Sequence, residues 1–119
     1  MKAEAVLKPA SRPLNALERA GWGVVAAERF GLCPGEGALL RELALAPGRF
    51  VSVDYLAGLF HGAEVRRMPS RLRLSVRVSR VRNALSDLGF PREAIENDPE
   101  AGYALAPHYA RQLRSMVEG

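Results

Sequence analysis

The stretch from Arg71 to Leu85, RLRLSVRVSRVRNAL, fits two backbone conformations. The choice between them limits the fold more than any other feature of the chain. From Arg71 to Ser79 polar and apolar residues alternate without a miss, which is the period of a half-buried strand. Leu74, Val78, Val81, Leu85 and Leu88 also lie on one helical stripe. With Leu74 at zero and about 100° per residue, the other four fall within roughly 40° of it. The alternation breaks at Ser79-Arg80 and again at Arg82-Asn83, and a strand of this length is too long for a small domain. The valines lower helix propensity slightly, but length and phase outweigh them. Ser70 after Pro69 offers a start and Gly89 a stop. The spacing predicts a helix over residues 71–88.

Five arginines and no acid lie in those fifteen residues. On a helix, Arg73, Arg77, Arg80 and Ala84 form a second stripe about a right angle from the apolar one, with Arg71 and Arg82 on the opposite flank. The cluster extends upstream: seven arginines stand between Arg66 and Arg82 with no acid. Between Asp87 and Glu100 there are five acids against Arg92 alone, so a formal net charge of +4 hides a polar distribution. Guanidinium forks match phosphate oxygens and the major-groove edge of guanine bidentately. Small Ser79 and Ala84 allow close approach to a groove. A solvated arginine face is the bland alternative; the acid-free cluster favours contact with a polyanion.

The remainder supports a single domain without catalytic signals. The chain has 119 residues, 48% hydrophobic and 25% charged, enough to bury a core. Its apolar runs are far too short for a membrane span, and the N-terminus lacks the apolar core of a signal peptide. One cysteine, Cys33, fits a reducing compartment, so a cytoplasmic location is expected. Cys33, His61 and His108 are too few and scattered for zinc, and no phosphate loop, nucleophile elbow or catalytic carboxylate pair is evident. No enzyme activity, metal or cofactor is expected.

Residues 1–13 read as a flexible tail. Residues 14–31 read as a helix through Leu14, Leu17, Val24 and Val25, with a hairpin (Trp22 to Val25, Arg29 to Leu32) as the competing reading because Gly21 and Gly23 flank Trp22. Pro34 and Glu36 suit the first turn of a helix with Leu39, Leu40, Leu43 and Ala44 on its apolar stripe, ended by Gly48. Phe50-Val51 reads as extended, Ser52 as an N-cap, and Val53, Leu56, Leu59 and Phe60 as a second apolar face. Ala94–Asn97 and Gly102–Leu105, joined by DPEAG, read as a hairpin. A final helix from Pro107 carries Tyr109, Leu113, Met116 and Val117 on one side, either packed on its own domain or mated with a second copy. Trp22 is a core aromatic or a docking anchor. Cys33 is an inert thiol or a redox-sensitive one.

This order of signals resembles the winged-helix DNA-binding domain of OmpR/PhoB-type response regulators. LCPGEGALLRELALAPGRFVSVDYLAGLFHG looks like the family's first helix, its turn and its Ser-initiated positioning helix. LSVRVSRVRNAL looks like the recognition helix VDVHISRLRKKL, and IENDPEAGYAL looks like the wing IETVRGVGYRL. The resemblance implies an α+β, mainly α winged helix-turn-helix over 32–106 with a C-terminal β-hairpin wing and extra N- and C-terminal helical segments, 14–31 and 107–119. It also implies that Arg77, Arg80 and Arg82 fall where the recognition helix meets bases and phosphates, with Arg73 near its start. Residues 61–69, with His61, Arg66 and Arg67, match the loop that can touch RNA polymerase. The wing tip departs from the pattern: Asp98 and Glu100 are acidic, and Pro99 stands where the family has an arginine. No receiver domain or N-terminal sheet is evident, so a stand-alone module is expected.

The expected function is therefore sequence-specific binding of double-stranded DNA by a transcriptional regulator, with Arg71, Arg73, Arg77, Arg80 and Arg82 as the contacts. Homodimerisation on DNA would supply two half-sites. The alternative is a protein-interaction module whose arginine face meets an acidic partner such as RNA polymerase or another regulator.

Overall fold

The computed structural model describes residues 13–60 and 70–119. The tail through residue 12 and the candidate partner loop with His61, Arg66 and Arg67 lie outside the described residues. Among the described residues, five helices and one antiparallel hairpin make a mainly helical α+β unit: α1 (Ala16–Phe30), α2 (Pro34–Ala44), α3 (Val53–Ala57), α4 (Ser70–Ser86), a 3-10 turn (Arg92–Ala94), β1 (Ile95–Asp98), β2 (Gly102–Leu105) and α5 (Pro107–Glu118). Among the described residues no helix is long and apolar enough to cross a membrane.

The N-terminal element is helical, and the hairpin reading of it is overturned. Asn15 caps α1 by accepting from the Glu18 N–H at 2.8 Å, while Glu18 reaches back to the Asn15 N–H at 3.1 Å. The face it buries differs from the expected one. Trp22, Gly23, Ala26 and Ala27 go inward, whereas Leu17 and Val24 are 83% and 59% exposed. The reason is backbone proximity. A Cβ on Gly37 of α2 would lie 2.4 Å from the Gly23 carbonyl oxygen and 2.8 Å from the Ala27 Cβ, so small residues set the closest approach of α1 and α2. Trp22 is a core residue, and its Nε1 donates to Glu118 at 2.9 Å, which gives the buried indole its partner.

In α2, Leu39, Leu40, Leu43 and Ala44 are fully buried at the centre of the core. The helix ends at Ala44 rather than running to Gly48. Gly48 instead has φ +74° in the following turn and donates its N–H to the Leu105 carbonyl at 2.8 Å. Ser52 caps the short α3 through the Tyr55 N–H. The helical reading of the ambiguous stretch holds: Leu74, Val78, Val81 and Leu85 are each 1% exposed or less. Leu88 does not join them and is 43% exposed, because the chain leaves the helix there. Gly89, at φ +95°, donates to the Ser86 carbonyl, and Phe90 donates to that of Leu85; this closes the helix and puts Phe90 in the core where Leu88 was expected.

The hairpin begins at Ile95, one residue later than expected, since Ala94 belongs to the 3-10 turn. Ile95 pairs with Leu105 and Asp98 with Gly102. Val51 adds a rung to the other edge of β2, exchanging two backbone hydrogen bonds with Tyr103 at 2.8 and 3.1 Å. That rung needs Gly102: its φ is +116°, and a Cβ there would stand 1.9 Å from the Val51 carbonyl oxygen. Of the stripe expected on α5, Leu113 and Val117 are buried, Tyr109 packs edge-on against Phe90 at 5.7 Å, and Met116 is partly exposed. The helix packs on α1 and α2 of its own domain.

Three glycine-to-alanine variants test this packing by thermal unfolding. Gly102→Ala should cost about 3 kcal/mol through strain and overlap, and Gly37→Ala about 2 kcal/mol through overpacking. Gly21→Ala, exposed in α1 with nothing within 4 Å, should instead raise stability by up to about 1 kcal/mol.

Candidate nucleic-acid interface

The core stripe of α4 fixes where its arginines go. Measured from Leu74 at about 100° per residue, Arg77, Arg73 and Arg80 lie on one flank and Arg71 and Arg82 on the other. Opposite the core stand Leu72, Val76 and Asn83. Four of the arginines divide between two neighbours: Arg77 and Arg80 reach the N-terminus of α2, and Arg71 and Arg82 reach the hairpin.

On the first flank, Arg77 Nη1 is 3.1 Å from Glu36 Oε2, and Arg80 Nη1 is 3.7 Å from the same oxygen. Glu36 is only 3% exposed, and its other oxygen accepts from the Cys33 N–H at 3.1 Å. The Arg77 guanidinium also lies 5.2 Å over the Phe60 ring, with Nη1 3.7 Å from Cys33 Sγ. Its side chain is 25% exposed, against 63% for Arg80. Arg73 is half-buried on this flank.

On the second flank, Arg82 turns inward. Its Nη2 donates to the Ile95 carbonyl at 2.6 Å, tying α4 to the first residue of the hairpin, and its Nε is buried without a partner. Burial, and then the positive charge of Arg92, hold its pKa below the usual arginine value. Exposed Arg71 donates to the Pro99 carbonyl at 3.3 Å and so reaches the hairpin tip. At that tip Asp98 accepts from the N–H groups of Glu100 and Ala101 at 2.8 and 2.9 Å, which hold its carboxyl below the usual range.

Of the five arginines expected as contacts, Arg77 and Arg82 are thus engaged within the protein. Arg77 pairs with a carboxylate that the core shields, and Arg82 pairs with a backbone carbonyl. Arg71 and Arg80 remain exposed. Two features went unread in the sequence. Leu72 and Val76, 52% and 44% exposed, sit one turn apart on the outward face, where the helical wheel also puts them. Glu36 read only as a match for the helix dipole, and nothing local showed that its second oxygen meets α4, 41 residues away.

Among the described residues no group of three His, Cys, Asp or Glu side chains is placed to hold a metal ion. What the surface offers is cationic and hydrogen-bonding: exposed Arg71 and Arg80, with Ser75, Ser79 and Asn83 between them. Comparison of the chain with protein-family models, with curated proteins and with solved structures returns no match.

The two kinds of arginine differ in what their loss does to stability. Arg82→Ala should cost about 2 kcal/mol by leaving a buried carbonyl unpaired, and Arg80→Ala less than about 0.5 kcal/mol, both read by denaturant unfolding. The depressed pKa of Asp98 fixes a sign as well. Its turn is supported at neutral pH and loses that support as pH falls through the folded-state pKa. A titration followed on the Glu100 and Ala101 amides should move with Asp98, at a pH below the ordinary carboxylate range.

Proposed function

We propose that the chain is a winged-helix module that binds double-stranded DNA, with α4 as the helix entering the major groove and the Ile95–Leu105 hairpin as the wing. One observation carries the reading: α4 buries a single apolar stripe and turns its opposite face to solvent, with no acid among its seventeen residues. A helix with side chains is about 10–12 Å across, and the major groove is about 12 Å wide. Ser75, Ser79 and Asn83 are small or polar enough to meet base edges. Arg80 reaches bases or phosphate, Arg71 serves the flank near the hairpin tip, and Leu72 and Val76 offer apolar contact to thymine methyl groups. Arg73 and Arg77 add positive potential without needing direct contact. A regulator of transcription is the role that sequence-reading of this kind fits, and pairing on a two-fold operator is the form that supplies enough specificity.

A second reading has its own support. Leu72 and Val76 form an exposed apolar pair, and the hairpin tip carries Asp98 and Glu100 rather than a cation. Both features suit a protein surface, such as that of RNA polymerase or another regulator, as the partner of α4.

Selection of bound fragments from random duplex DNA near physiological salt separates the two. The DNA reading expects an enriched motif, and Arg80→Ala should weaken discrimination at one base pair by about 1–3 kcal/mol. Absence of enrichment, with no salt-dependent binding to any duplex, would overturn it in favour of a protein partner.

A further inference from the structure

Glu36 does more than a capping residue needs. An N3 carboxylate that closes a capping box requires one oxygen and works at the surface, and glutamine serves there as well. Here the group is nearly inaccessible, and its oxygens are divided. Oε1 takes the Cys33 N–H, while Oε2 takes Arg77 at 3.1 Å and Arg80 at 3.7 Å. The cap accounts for the first oxygen. The second oxygen, and the charge itself, act on α4.

The two arginines feel this differently. Arg77 is held on three sides, by the carboxylate, the Phe60 ring and the Cys33 sulfur. Arg80 is at the long end of ion-pair distance and mostly exposed, so it is steered without being locked.

We propose that Glu36 is a positioning residue that sets how well α4 discriminates a specific duplex from bulk DNA, by withdrawing Arg77 from phosphate and orienting Arg80. This inference rests on the DNA-binding reading above. A guanidinium free on its stem binds any phosphate, and the counterions it releases give affinity that ignores sequence. One whose direction is fixed meets a base edge in a single geometry. A negative charge beneath the arginines therefore lowers non-specific affinity while it preserves the directed contact.

The test measures binding to a duplex selected from random sequence and to unselected duplex, over a range of salt, for the wild type and Glu36→Gln. Glutamine keeps the cap and removes the charge, and thermal unfolding checks that the variant folds. The expected result runs against the usual loss of function. Glu36→Gln should bind unselected duplex at least fivefold more tightly, with a log–log salt slope steeper by about one unit for each phosphate gained. Its preference for the selected duplex should fall about tenfold. A folded Glu36→Gln with wild-type preference and slope overturns the inference while leaving the DNA reading intact. A wild type that binds no duplex even at low salt removes both.

Should Glu36→Gln fail to fold, Arg77→Gln gives the opposite test. It leaves Arg80 alone with the carboxylate, so unselected binding should weaken and the salt slope should become shallower than wild type. An unchanged slope in that variant overturns the inference.

Discussion

The whole arrangement depends on the burial of one helix. Leu39, Leu40, Leu43 and Ala44 of α2 are closed off from water, and α1, α4, α5 and the hairpin each pack against α2. Because α2 is surrounded in this way, neighbours that do not touch one another still share a reference. At the α1 side the approach is limited by backbone, with Gly23 and Gly37 in place of larger residues. At the α4 side it is limited by leucines and valines. The same helix thus offers one surface for close contact and another for bulky interdigitation, and α4 is held with its far face free.

Much of this was legible because local signals agreed with the final packing. Leu74, Val78, Val81 and Leu85 recur at helical spacing, and their phase survives the strand-favouring valines since burial of a continuous stripe outweighs a small propensity cost. Ser52, Pro34 and Gly89 act at helix ends, by a side-chain cap, a fixed φ and a left-handed φ respectively, so sequence neighbours suffice to read them. The hairpin was placed to within a residue by the turn-rich DPEAG.

What was not legible required knowing which elements meet. Leu17 and Val24 look like the core face of α1 by hydrophobicity alone. Gly23 and Ala27 stand instead where α2 comes closest, with Trp22 buried beside them. The arginines of α4 raise the same difficulty. A wheel gives their angles but not their partners, and Arg77 and Arg82 turn toward a carboxylate and a carbonyl from distant segments. The candidate interface was therefore readable as a charged helix, and unreadable as a division between directed and committed guanidinium groups.

The rung between Val51 and Tyr103 bears on the order in which the molecule is assembled. It joins the segment leading into α3 to a strand made some fifty residues later, so the entrance to the α3–α4 pair stays unpaired on one side until β2 has been synthesised. Closing so long a loop is slow relative to helix formation. The helices can form as they emerge, but the angle at which α3 leads toward α4 is settled only when β2 arrives. The exposed face of α4 therefore gains its final setting late, and an incomplete chain carries the arginines without their frame.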